Sequence, residues 1–223
     1  MQVLFLDWYR TLSCSRFFEH LESSDPALAA RLERSMFVDL ADLLGPWMRG
    51  QLRAEDVVEA VAARCEVDPG RVLQELSTGC RRACFVSPRV ADLVQALRRS
   101  GRRVVVATDN MDVFARWTVP ALGLSELFDD ILNSSELGCL KSDTDADGCS
   151  RFFGPYLTRL GVPAAEATLV DDAEEATRHC VERLGMRFRP VRAPGDVVTE
   201  LELALQTRPT DQQYPDRLKT QGR

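Results

Sequence analysis

The stretch Val3-Leu4-Phe5-Leu6-Asp7-Trp8-Tyr9-Arg10-Thr11-Leu12 decides how this chain is read. Four apolar residues run together without the alternation of a half-exposed strand, then stop at a carboxylate. Such a run suits a strand buried on both faces, as in a parallel sheet. A carboxylate at its C-terminal end stands where open α/β sheets hold their ligands. Taken alone, Asp7 could equally cap the next turn. The rest of the chain decides between the two readings.

Downstream, the pattern changes twice. From about Ser13 to Cys84 no strand-like run occurs, and helical periodicity takes over. Asp25-Pro26 starts a helix expected to run to Leu44, with Leu28, Leu32, Met36 and Leu40 on one face and Gly45-Pro46 ending it. A second helix starts near Arg53 and carries Val57, Val58, Val61 and Ala62. A third follows Asp68-Pro69-Gly70 and carries Val72, Leu73 and Leu76. After Ser87-Pro88 strands and helices alternate. A helix face (Val90, Leu93, Val94, Leu97) leads to an apolar run, Val104–Ala107, ending in Thr108-Asp109-Asn110. Phe128–Asn133 reads as a short strand. Ser134–Asp143 reads as a loop that reaches Lys141. A helix over 152–160 precedes the run Ala167–Val170, which ends in Asp171-Asp172. A helix from about Glu174 to Leu184, a last strand over Met186–Val191 and a short helix over Val197–Leu205 complete the series.

Alternating strands and helices predict a Rossmann-like α/β parallel sheet covered on both faces. The expected organisation is an α/β core of residues 1–13 and 85–205, a small all-helical cap of residues 14–84, and a disordered polar tail of residues 206–223. Right-handed crossovers would bring the C-terminal strand ends to one edge. Asp7, Thr108 and Asp171-Asp172 would then meet despite their separation in sequence.

Composition narrows the function classes. The 223 residues carry a net charge of −6 with pI near 5.1, which gives no reason to expect nucleic-acid or anionic-membrane partners. No apolar stretch approaches the roughly 20 residues that span a bilayer. No basic region precedes the first apolar run, and Asp7 interrupts it, so a signal peptide is not expected. The seven cysteines include no Cys-x-x-Cys. Only His20 and His179 could assist them, and neither has ligand spacing, so reduced cytoplasmic thiols are expected and a zinc site is not.

The residues expected to converge form a self-consistent phosphoryl-transfer site. Asp7 would act as nucleophile. Asp7 with Asp171 and Asp172 would hold Mg²⁺, which favours carboxylate oxygens together with substrate phosphate. Thr108 and Lys141 would hold the remaining phosphoryl oxygens. Asp109 and Asn110, beside Thr108, are further candidates for substrate contact, Asp109 also as a displaced acid/base. Arg16, Phe17 and Phe18 are candidates either for specificity or for hinge packing.

In this order the motifs resemble those of the haloacid dehalogenase-like (HAD) hydrolase superfamily, from Val3 to about Leu205. They are Asp7-Trp8-Tyr9-Arg10-Thr11-Leu12, Val104–Thr108, Gly138-Cys139-Leu140-Lys141-Ser142-Asp143 and Leu169-Val170-Asp171-Asp172. The resemblance implies a helical cap after the first motif and, in most members, a Mg²⁺-dependent phosphatase with a small phosphorylated substrate. It also implies a metal contact from the backbone carbonyl of residue 9, here Tyr9. Two departures stand out. Phosphatases of the family usually carry a second, acid/base Asp where this chain has Tyr9, and usually Gly where it has Arg10, so the Tyr9 hydroxyl, Asp109 or a cap residue would have to supply the catalytic proton. A Tyr at that position resembles the metal-free dehalogenase branch, yet that branch usually has Ser-Asn type residues where this chain has Asp171-Asp172. A Mg²⁺ phosphatase is therefore the leading expectation. A 2-haloacid dehalogenase-like hydrolase and a catalytically weak phospho-ligand-binding protein are the alternatives. Substrate identity and oligomeric state are left open.

Overall fold

A computed structural model of the chain describes residues 2–173 and 175–207. Val3–Leu6 is strand β1, and all four residues are buried. The chain then turns away from the sheet into helices α1 (Pro26–Arg34), α2 (Leu44–Met48), α3 (Ala54–Cys65) and α4 (Pro69–Arg81). Helix α5 (Arg89–Arg99) leads to β2 (Arg103–Thr108), and short helices α6 (Val119–Ala121) and α7 (Leu124–Leu127) lead to β3 (Asp130–Asn133). There follow α8 (Ser134–Leu137), α9 (Gly154–Leu160), β4 (Ala167–Asp171), α10 (Glu175–Leu184), β5 (Arg187–Pro190) and α11 (Asp196–Gln206).

The five strands form one parallel sheet in the order β3-β2-β1-β4-β5. β1 is central. Its partners are set so that Leu6 lies beside Val106 and Val170, which brings Asp7 level with Asp171. The ladder continues one step past the strand, because the Asp7 amide donates to the Val170 carbonyl at 3.0 Å. Alternate residues of β1 enter two cores. Leu4 and Leu6 pack with α5 and α11 through Val90, Val94, Leu97, Val197 and Leu201. Val3 and Phe5 pack on the other face with Phe153, Tyr156 and Leu157. An uninterrupted apolar run is what burial on both faces requires.

The helices between β1 and α5 have an apolar interior of their own, built on Leu28, Leu32, Met36, Trp47, Val57, Val61, Val72 and Leu76. The periodicity seen in the sequence is the buried face of each helix. The first helix departs from expectation. Instead of running to Leu44 it ends as α-helix at Arg34, widens into a π-helical turn over Ser35–Asp39, and breaks at Leu40. Gly45-Pro46 does not end a helix but lies within the first turn of α2. A proline is tolerated there because first-turn amides have no helical acceptor.

Two glycines let segments approach closely. A side chain on Gly50 (φ 67°) would meet the Ser135 carbonyl oxygen at 2.2 Å, and one on Gly79 would meet the Phe17 carbonyl oxygen at 1.6 Å. The remaining differences are small. Ser134–Leu137 is a helical turn and not loop, and Gln206, assigned to the tail, is the last residue of α11. Residues 208–223, the rest of the expected tail, and Glu174 lie outside the described residues. Among the described residues no helix is long and apolar enough to cross a membrane.

Candidate functional site

The site begins with a tight turn after β1. The amides of Leu12 and Ser13 donate to the Trp8 carbonyl at 2.9 and 2.8 Å, and Leu12 also donates to the Asp7 carbonyl at 3.3 Å. Trp8 points inward against Phe85 and Phe114, at ring centroid distances of 5.7 and 5.3 Å. This anchor leaves Asp7 at the strand end and turns Tyr9, which is 46% exposed, outward.

Lys141 ties the site together. Its ammonium donates to Asp7 Oδ1 at 2.8 Å and to Asp171 Oδ2 at 2.6 Å, with all three side chains buried. Burial alone would lower the lysine's pKa. The carboxylates of Asp7, Asp171 and Asp109 outweigh it and hold Lys141 well above its ordinary value, so the ammonium stays charged. Asp171 is pushed up by burial and then by the Asp7 carboxylate, against the pull of Lys141. Asp172 is raised for the same two reasons, with Arg10 opposing, its Nε standing 3.3 Å from Asp172 Oδ2.

Oxygens of Asp7, Asp171 and Asp172 all lie within 4.8 Å of one another. Asp171 Oδ1 is buried and has no hydrogen-bond partner among the described residues. A buried carboxylate oxygen without a partner is costly. A hard cation with oxygen ligands would remove that cost, so the donor set fits Mg²⁺.

The other expected residues divide. Thr108 is buried as the last residue of β2, one step beyond the level of Asp7. Asp109 faces the lysine loop. Its Oδ1 accepts the Lys141 backbone amide at 2.8 Å, and burial raises its pKa. Asn110 is engaged locally: its Oδ1 accepts the Met111 amide at 2.9 Å, and its amide donates to Ser134 Oγ at 2.9 Å. Phe18 is fully buried among the helices, and Phe17 stacks near Phe37. Arg16 pairs with Glu22.

Two contacts that the helices make with the core escaped the sequence reading. Arg49, at the end of α2, makes a two-pronged pair with Asp143 at 3.1 and 3.0 Å. Asp143 Oδ2 also accepts the Leu140 amide at 2.9 Å, so a residue from the helices braces the lysine loop. Trp47 Nε1 donates to Asp112 Oδ1 at 2.6 Å, just past the second motif. Helical periodicity marks Trp47 and Arg49 as near a helix end but carries no signal of their partners.

A parallel α/β sheet with a carboxylate after its central strand, a buried lysine and an acidic pair on the next strand defines a hydrolase site of one recognisable class. The family model for haloacid dehalogenase-like hydrolases matches residues 4–188, and the chain belongs to that family. A HAD-family enzyme of Bacteroides thetaiotaomicron, solved with magnesium and inorganic phosphate, is similar in fold. It is 12% identical, with a TM-score of 0.63 over 86% of this chain and 95% of that one. A predicted HAD-like hydrolase of Porphyromonas gingivalis is 16% identical, with a TM-score of 0.65 over 93% of this chain and 98% of that one. The L-2-haloacid dehalogenase of Xanthobacter autotrophicus, with chloropropionic acid covalently bound, is 15% identical, with a TM-score of 0.62 over 94% and 84%. No curated protein sequence matches this chain.

Proposed function

We propose that the chain is a Mg²⁺-dependent phosphomonoester hydrolase that acts on a small phosphorylated metabolite through an aspartyl-phosphate on Asp7. One observation carries this reading: three carboxylates converge with their oxygens within 4.8 Å, one of them holding a buried oxygen that no group among the described residues satisfies. A metal-free dehalogenation has no use for that arrangement. The magnesium and phosphate bound to the similar Bacteroides thetaiotaomicron enzyme support it.

Asp7, Asp171 and Asp172 would hold the ion, with the Tyr9 carbonyl as a further ligand. When bound it neutralises phosphoryl charge during attack. Lys141 fixes Asp7 through Oδ1. The other oxygen of Asp7 then attacks phosphorus, forming the O–P bond as the ester P–O bond breaks. Lys141 and Thr108 stabilise the oxygens on which charge collects. Water then releases phosphate from Asp7. Position 9 offers no carboxylate to protonate the leaving alcohol, and Asp109 is turned to the Lys141 amide. Good leaving groups are therefore favoured. Residues 14–84 would form the cap over this site, with Arg49 linking them to the lysine loop. Seven unpaired thiols suit a reducing, cytoplasmic setting.

A second reading, a 2-haloacid dehalogenase, is favoured by Tyr9 and by the similar fold of the Xanthobacter enzyme. Hydrolysis of para-nitrophenyl phosphate tests the first, because its leaving group needs little protonation. Turnover should require Mg²⁺, stop with EDTA, and fall by at least about a thousand-fold in Asp7→Asn. Full activity in EDTA or in Asp7→Asn would overturn it.

A further inference from the structure

The phosphatase reading leaves Arg10 without a role, although its placement is specific. Arg10 adopts the left-handed conformation (φ 61°), which is unfavourable for a non-glycine residue. Its amide is held by the Ser13 carbonyl at 2.6 Å. The turn thus points the side chain back over the strand ends, and Nε comes 3.3 Å from Asp172 Oδ2 although the side chain is 68% exposed.

Lys141 contacts Asp7 and Asp171, the two buried carboxylates. The third, Asp172, is the more accessible one, and Arg10 is the cation that reaches it. The three carboxylates of the cluster therefore face two cations among the described residues, Lys141 and Arg10. An ion entering beside Asp172 must share that carboxylate with the guanidinium or displace it, and is repelled by it meanwhile. Lys141 is buried and held on both sides, so it is fixed in place. Arg10 stands at the solvent side and has room to swing away.

Resting on the metal reading above, we propose that Arg10 is a positioning residue that sets the affinity of the Asp7–Asp171–Asp172 cluster for a divalent cation by competing for Asp172. Arg10 is mostly exposed and screened by solvent, so the competition is modest. Removing the charge should tighten binding about two- to five-fold. High salt should shrink the gap, because an exposed charge is screened within about 10 Å at 0.1 M.

Calorimetric titration of Mg²⁺ into the full chain tests this with wild type, Arg10→Gln, Arg10→Lys and Arg10→Gly. Gln keeps the strained backbone and loses the charge, Gly loses both, and Lys keeps the charge. The expected result is equal tightening in the Gln and Gly variants, wild-type-like affinity in the Lys variant, and convergence of all four at high salt. Should the Gln variant fail to fold, Arg10→Met, which likewise keeps the backbone conformation and loses the charge, takes its place beside Gly. Unchanged or weaker affinity in the charge-free variants, beside measurable binding by wild type, would overturn the competition and leave the metal reading standing. Tightening in Gly alone would assign the effect to backbone strain and overturn it too. An absence of binding in every variant would overturn the metal reading, and the competition with it.

Discussion

The α/β core and the helices between β1 and α5 are stabilised in opposite ways. In the core, charges are buried at the sheet edge: Lys141 is enclosed between Asp7 and Asp171. Among the helices the interior is apolar, and the polar groups lie toward the rim, as in the pair of Arg116 with Glu55 at 2.7 Å. Burying an ion pair costs more desolvation than it returns in attraction unless its geometry is excellent. A fold keeps such a group where chemistry needs it. Exposed pairs cost little and return little, roughly 0.2–1 kcal/mol each. The core therefore keeps its buried charges at the sheet edge, while the interior of the helices is given over to packing.

Four changes break or sharpen this contrast. Lys141→Met would leave two carboxylates facing each other without a cation. Urea unfolding should show a loss of about 3–5 kcal/mol, and Mg²⁺ should restore part of it. An unchanged midpoint would mean that the cluster's charges are not balanced as described. Trp47→Ala attacks the other region. Trp47 is fully buried, so about 3–5 kcal/mol should be lost by the same measurement, with no recovery on adding Mg²⁺. That difference in metal response separates the two regions more sharply than either loss alone. Arg49→Met should cost little stability, about 1 kcal/mol, since its pair with Asp143 is partly exposed. Its effect should fall on turnover, because Asp143 braces the loop that carries Lys141.

The smallest effect is pH-dependent. Burial raises the pKa of Glu33 above the ordinary 4.5, while the Phe18 amide donates to its Oε1. A carboxyl raised on folding contributes stability that is fully present below its unfolded pKa. That contribution is lost as pH rises through the folded value. Glu33→Gln should therefore melt higher than wild type at pH 7 and equal to it near pH 4. A gap that is constant with pH would contradict the cause given.

Much of the core was legible in the sequence because local chemistry sets it. Val3–Leu6 and Val104–Ala107 are apolar runs that suit only burial on both faces, and the parallel connections carry their ends to one edge. Asp7, Lys141, Asp171 and Asp172 could be named before the fold was known because each follows such a run or its loop. Two contacts were not legible, one between the regions and one within the core. Arg49 with Asp143 and Arg10 with Asp172 depend on how elements dock and where a side chain turns, and periodicity records neither. The first helix ends before its periodicity does, for a related reason. Leu28, Leu32, Met36 and Leu40 keep helical spacing through a π-helical turn, since the spacing registers the buried face and not the hydrogen-bond pattern.

On the proposed reading, the acidic cluster serves a metal-dependent attack on phosphorus. The most direct measurement follows both possible products, phosphate from para-nitrophenyl phosphate and halide from 2-chloropropionate, with Mg²⁺ and with EDTA, in wild type and Asp171→Asn. The prediction is phosphate release only with Mg²⁺, lost in Asp171→Asn, and no halide release. Halide release in EDTA that survives in Asp171→Asn would contradict it.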